Sequence, residues 1–198
     1  MDSPRITISL PKPRTNGSMA LETALARRRT VRDFRPRPLT AAEVGQLLWA
    51  AQGVTHGDGK RAAPSASGLF GLEVYAATAD GLTHYLPAEH ALERLADADI
   101  RPALQVATGH QPFVGTAPLV VVLAIVPGRI AGRHGPDRGV RYADFEAGHA
   151  GQNLLLQAVA LDLGAVPIGS FRDDEVNALL GLPEGQVARY LFAVGRLL

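Results

Sequence analysis

The residues best placed to do chemistry are Arg27-Arg28-Arg29-Thr30-Val31-Arg32-Asp33-Phe34, where a basic helix end runs into an extended segment. Alternation along an extended chain puts Arg28, Thr30 and Arg32 on one side, so two guanidinium forks and a hydroxyl can converge on one phosphate. A solvated helix end, with cations favoured by the helix dipole, fits the same residues.

Two further segments suit the close approach of a flat ligand. Pro64-Ser65-Ala66-Ser67 is small and polar, with hydroxyls at Ser65 and Ser67 that can bond a polar edge. Gly164-Ala165-Val166-Pro167-Ile168-Gly169-Ser170-Phe171 can bend and expose a backbone N–H to something packed on it. Taken singly, each also reads as an ordinary loop or turn.

Other chemistries drop out. The chain has no cysteine, which removes thiolate nucleophiles, disulfides and Cys-ligated metals, so redox work would need a cofactor. Gly57-Asp58-Gly59-Lys60-Arg61-Ala62 has the spacing of a dinucleotide fingerprint but follows a helix rather than a strand. No P-loop, G-x-S-x-G or H-E-x-x-H occurs, and the six histidines are scattered, so no metal site is expected. A formal charge of +1 gives no reason to expect nucleic acid. Lys12 and Lys60 are the only lysines among the 20 basic residues, an Arg bias that a GC-rich genome also produces.

The elements that must position these groups follow from periodicity. Residues 1–17 read as an extended arm, expected to pack along a neighbouring subunit or to fray. Ser18 begins a helix with Leu21 and Leu25 on one face. Thr40-Ala41-Ala42-Glu43 is a capping box for a helix stopped by Gly53. Residues 53–68 read as a loop, and Leu72–Thr78 and Leu82–Leu86 as a hairpin turning at Asp80-Gly81. Short helices are expected at Ala88–Asp97 and Pro102–Thr108. Leu119–Val126 reads as a strand buried on both faces, too short to span a bilayer.

Pro127–Gly139 reads as a long loop and candidate lid, Tyr142–Leu163 as a long helix ended by Gly164, and Ala165–Phe171 as a short apolar piece. Asp173 caps a helix to Gly181, and Tyr190–Val194 is a last strand. One α+β domain over residues 18–198 accounts for the pattern, and with no signal-peptide pattern the expected location is the cytoplasm, with no membrane partner.

Five segments in order resemble the flavin-dependent nitroreductase superfamily: Arg28 to Phe34, Pro64 to Ser67, Gly148-His149-Ala150-Gly151-Gln152-Asn153, Leu163 to Gly169, and Val194-Gly195-Arg196. The resemblance implies a mixed sheet flanked by helices, an intertwined homodimer, and FMN at the subunit interface. It implies that Arg28, Arg29, Thr30 and Arg32 hold the phosphate and ribityl end, with Arg196 adding to the phosphate site. Pro64, Ser65, Ala66 and Ser67 would come from the partner, while Pro167, Ile168 and Gly169 would pack on the isoalloxazine ring, the Gly169 amide donating toward flavin N5.

The implied reaction moves hydride from NAD(P)H through flavin N5 to a nitroaromatic, quinone or activated alkene, and no catalytic side chain is assigned. The chain is similar above all to the short azoline-oxidase-like subgroup, through Leu48-Trp49-Ala50-Ala51-Gln52-Gly53 and Leu72-Glu73-Val74-Tyr75. Where azoline oxidases carry a Lys-Tyr pair, this chain reads Gly132-Arg133-His134-Gly135, with Arg133 a poor base and His134 a titratable one. Azoline dehydrogenation in peptide maturation and a non-catalytic flavin-binding module therefore stand as alternatives.

Overall fold

The computed structural model describes residues 6–198, and its centre is a strand with no exposed face. β6 (Leu119–Ile125) is seven apolar residues, all buried. Leu119, Val121, Leu123 and Ile125 enter one core, and Val120, Val122 and Ala124 enter a second, as the two-residue period of a strand requires. The first core is closed by α2 (Ala41–Gln52) and α6 (Pro136–Ala160), through Leu47, Leu48, Ala150 and Leu154. The second is closed by α3 (Arg101–Ala107), α4 (Pro112–Thr116) and α7 (Asp173–Leu180), through Leu104, Val114, Val176 and Leu180.

The other strands are β1 (Thr7–Ser9), β2 (Phe34–Arg35), β3 (Leu72–Thr78), β4 (Gly81–Leu86), β5 (Ala91–Ala96), β7 (Leu163–Ile168) and β8 (Val187–Leu197). They form an 8-stranded sheet in the order β1-β5-β4-β3-β6-β8-β2, with β7 also on β8. β6 pairs with residues 187–194 of β8 and β2 with 196–197, so these two share one edge of β8. β7 pairs with 191–196 and must take the other edge.

The expected α+β class holds, with helices on both faces, but the sheet is not mixed in its ladders. Every pairing between named strands is antiparallel, and among the described residues parallel geometry enters only at the bridge between Thr30 and Ala165. The extra residue Arg189 makes a bulge in β8, and its guanidinium reaches Asp144 on α6 at 2.7 Å.

Four expectations need correction. Pro127–Gly139 is not a loop: α5 (Pro127–His134) and α6 form a helical hairpin broken at Gly135, φ 84°. Its prolines sit in the first turns, where no N–H is needed. Gly139 serves helix–helix approach, since a Cβ there would stand 2.9 Å from Ala131 Cβ. Ala88–Asp97 is not helical, because Ala91–Ala96 pairs with β4 on one side and β1 on the other, and pairing overrides the helix propensity of Leu92-Glu93-Arg94.

The long helix starts at Pro136 rather than Tyr142, and Leu163 already belongs to β7. Over its described part the arm does not fray but is held on its own chain. β1 pairs with β5 of the same chain, and the Arg14 main chain makes two hydrogen bonds to the buried Gln46 side chain of α2. Residues 1–5 of the expected arm lie outside the described residues.

Candidate functional site

α1 (Leu21–Arg27) starts at Ala20 rather than Ser18 and ends at Arg28, from which the chain runs on extended. Val31 N donates to Ala165 O at 3.0 Å, and Thr30 bridges Ala165, so Arg28 to Arg32 lies alongside β7. Two glycines permit this. A Cβ on Gly164 would come within 2.8 Å of Val31 Cγ1, and one on Gly195 within 2.7 Å of Phe34 Cβ. The first and third segments singled out in the sequence therefore meet through backbone pairing.

Arg28 is half-buried and Arg32 exposed, and neither makes an ion pair among the described residues. The Arg32 guanidinium lies 5.8 Å from the Phe113 ring centroid, at an open cleft lined also by Asp33, Phe34, Pro112 and Thr116. Thr30 is exposed beside them. Arg29 points elsewhere: its Nη1 donates to Ala26 O and Arg28 O, both at 2.8 Å, closing the carbonyl end of α1.

Arg196 is also committed. Its Nη2 donates to Glu43 Oε2 at 2.8 Å, and Glu43 in turn completes the α2 capping box with Thr40. Burial pushes the Glu43 carboxyl up, but hydrogen bonds from Thr40 and the Arg196 charge outweigh it and hold the group below its usual range. The structure thus ties one nitrogen of Arg196 to a helix cap, while its buried Nε has no hydrogen-bond partner among the described residues.

Along β7, Pro167 is half-buried, while Ile168 is buried in the second core and offers a ligand only its backbone. Gly169 is exposed just past the ladder, its N–H has no partner among the described residues, and a Cβ there would meet nothing within 4 Å. An open backbone donor beside uncompensated arginines fits a ligand with a planar acceptor-bearing ring and a phosphate, which is the donor set that FMN needs.

The Pro64–Ser67 loop is joined to neither of these groups by any hydrogen bond among the described residues. It ends in a 3-10 turn over Ala66–Gly68, with Ser67 at φ 55° and Phe70 at φ 49°. Pro64 and Ser67 are exposed, and Ala66 is half-buried. Ser65 Oγ accepts from Phe70 N at 2.8 Å, so this hydroxyl faces inward rather than toward a ligand. Ser67 Oγ is 3.0 Å from His134 Nε2, and the His134 ring meets Tyr142 edge-on at 5.3 Å.

Sequence reasoning missed the polar group beneath this loop. Glu146, 1% exposed, accepts from Gln52 Nε2 at 3.0 Å and from Gly71 N at 3.2 Å. Burial pushes its carboxyl up, against the hydrogen bonds from Ser65, Gln52 and Gly71 and the charge of Arg61. A second network joins Glu73 to Arg129 and to His84, whose ring stacks on Tyr75. Gln52, Arg61, Ser65, Glu73 and Tyr75 stood within quoted motifs, but Glu146, Arg129 and His84 did not, and nothing in the spacing announces a buried network.

Known proteins match this arrangement. The Nitroreductase family profile matches residues 25–196. A protein of Methanocaldococcus jannaschii assigned as a nitroreductase is 37% identical over 182 residues, covering 89% of this chain and 90% of the relative. A crystal structure from Ralstonia eutropha with the same assignment superposes with a TM-score of 0.88 at 34% identity, over 97% of this chain and 90% of that one. The NADPH:FMN oxidoreductase of Vibrio harveyi, complexed with NAD+, shares the fold at a TM-score of 0.67 and 24% identity, over 89% of this chain and 68% of that one. With its paired sheet, its glycine-seated Arg segment and a match over most of its length, the chain belongs to the nitroreductase family and is an oxidoreductase.

Proposed function

We propose that the chain is an FMN-dependent oxidoreductase that takes hydride from NAD(P)H and delivers it to a small acceptor such as a nitroaromatic, a quinone or an activated alkene. The observation that carries this reading is the pairing of Thr30 with Ala165, which sets the uncompensated Arg28 and Arg32 beside the strand that ends at the open Gly169 amide. When bound, FMN supplies hydride exchange at N5 of its ring. Arg28, Thr30 and Arg32 hold the phosphate and ribityl end, where a doubly charged group suits guanidinium forks. Pro167 and the Gly169 N–H bear on the ring, and a fixed backbone donor there biases its redox state without adding a titratable group. Arg29 and Arg196 contribute through the helix end and the helix cap that they close.

The Pro64–Ser67 loop serves the site of a second copy, so the working unit is a homodimer of single FMN-binding domains spanning 18–198. Supporting this, among the described residues the loop makes no hydrogen bond to the Arg segment of its own chain, and Leu21, Leu25 and Phe145 are each more than half exposed. No helix among the described residues is long and apolar enough to cross a membrane, in keeping with a cytoplasmic location.

The test is the absorption spectrum of the purified protein with FMN. A yellow protein that bleaches under anaerobic NADH or NADPH and recovers with a quinone is expected, and a colourless protein that takes up no FMN overturns the reading. One contact favours a second reaction, azoline dehydrogenation: Ser67 holds His134, a residue able to accept a ring proton, at the loop assigned to the flavin. Loss of two mass units from an azoline peptide would identify it. Flavin bound but inert to both nucleotides and acceptors would mark a non-catalytic module.

A further inference from the structure

Glu146 sits midway along α6 on a face otherwise built from Ala143, Ala147, Ala150 and Leu154. An apolar residue would fill that space without the desolvation cost of a carboxyl group. The carboxyl differs from such a residue in offering two acceptors, and both are used. Oε1 takes the amide of the fully buried Gln52, and Oε2 takes the main-chain N–H of Gly71, while the nearby Ser65 hydroxyl, which accepts from Phe70 N, favours the ionised carboxyl.

Gln52 extends the chain of contacts outward. Its Oε1 accepts from Arg61 Nη1 at 3.0 Å, and the Arg61 guanidinium lies 4.5 Å from the centroid of the Phe70 ring. Arg61, Ser65, Phe70 and Gly71 all lie in the segment that carries Pro64–Ser67. That segment is paired at its edges, by the bridge of Arg61 with Val54 and by the bond from Val126 N to Gly71 O, and between them it places two side-chain-bearing residues in left-handed backbone conformations, at Ser67 and Phe70. Gly71 is itself fixed from the far side, since a Cβ there would stand 2.7 Å from Ile130 Cδ1 of α5.

We propose that Glu146 is the positioning residue of the flavin-ring loop: it holds the Gly71 N–H at the end of the turn, next to the Phe70 N–H that bonds the Ser65 hydroxyl, so that Pro64–Ser67 presents a fixed backbone surface to the ring. The proposal rests on the reading of Pro64–Ser67 as a flavin contact. Glu146 touches no ligand itself and acts through the shape of the loop. Its carboxyl cannot be replaced by an amide of the same size without conflict, because the single remaining oxygen can face only one of the two donors, Gln52 Nε2 or Gly71 N, and the amide nitrogen must face the other.

The test uses the full chain with FMN as the probe, read by quenching of flavin fluorescence and by the visible spectrum of the bound flavin. Glu146→Gln is expected to weaken FMN binding by about tenfold, the effect of one misplaced hydrogen-bonding group. Its bound flavin spectrum is expected to shift toward that of free FMN, while far-UV circular dichroism stays that of the wild type. Ser65→Ala is expected to weaken binding in the same direction. The double variant should lose less than the sum of the two singles, because both act through one tie.

Wild-type binding of FMN with unchanged affinity and spectrum in both Glu146→Gln and Ser65→Ala overturns the proposal and leaves the flavin reading standing. Fully additive losses overturn it as well, since they place the two residues in separate roles. Failure of the wild type to bind FMN overturns the flavin reading beneath it. Should Glu146→Gln not fold, Ser65→Ala decides: weakened affinity with a shifted spectrum supports the tie, and wild-type affinity overturns it.

Discussion

Val31 rests on Gly164 so closely that a Cβ on the glycine would come within 2.8 Å of Val31 Cγ1. This contact seats the Arg28–Arg32 segment on β7. Gly164→Ala is therefore expected to cost about 1–3 kcal/mol in urea unfolding, the usual range for an overpacked contact. FMN affinity should fall with it as the segment lifts. Adding Val31→Ala removes the clashing methyl groups and should recover part of both losses. Unchanged stability in Gly164→Ala would show that the segment does not depend on this contact.

The assignment of Arg28 and Arg32 to the phosphate can be separated from any general effect on the ring by comparing FMN with riboflavin, which lacks the phosphate. Each Arg→Ala change should weaken FMN binding by about 1.5–3 kcal/mol, the range for hydrogen bonds to charged groups, and leave riboflavin affinity near the wild-type value. Equal losses for both ligands would place these arginines elsewhere in the site. Because the contacts are ionic and exposed, the FMN preference should also shrink with added salt.

Arg196 and Glu43 predict an acid transition rather than a ligand effect. The folded Glu43 carboxyl ionises below its ordinary value of 4.5, so its contribution is fully present above that pH and is lost as the pH falls through the lower folded value. Glu43→Gln should cost about 0.5–2 kcal/mol at pH 7, as for a lost helix cap, and should show a shallower decline of thermal stability below pH 4.5 than the wild type. Arg196→Met should destabilise in the same pH range while leaving the ratio of FMN to riboflavin affinity unchanged.

His134 separates the two candidate reactions. Oxidation of NAD(P)H by a quinone requires no base on the protein, so His134→Gln should slow it by less than about tenfold, whereas removing a general base costs about 10²–10⁴. A loss of that larger size with an azoline peptide, in a chain that oxidises such peptides, would identify His134 as the group that takes the ring proton.

Much of this architecture is legible in the sequence where one local signal dominates. The Thr40–Glu43 box, the apolar run of β6 and the Asp80-Gly81 turn each depend on neighbouring residues alone, and each is found where the pattern puts it. The misread pieces are those whose partners are distant. Ala91–Ala96 has helix-forming residues but lies between two strands, and the glycines of 127–139 read as loop formers although Gly139 serves a helix contact. At the site, the resemblance picks out the segments, but not the commitments within them. Arg29 closes its own helix, Arg196 joins a cap, Ile168 faces the core and Ser65 faces Glu146, all through partners that sequence spacing does not reveal.

The strand β8 brings the Phe34-Arg35 strand to the last residues of the chain, and the Arg35 Nε bond to Leu197 O closes a separation of 162 residues. Such closure is slow, because the entropy of the long loop is spent before its contacts form. During synthesis the Arg28–Arg32 segment emerges early and has no strand to lie on until β7 and β8 have left the ribosome. The phosphate end of the proposed site is thus among the last parts to take shape. A ligand that binds only the finished sheet would then trap the folded state against unfolding rather than guide the chain toward it.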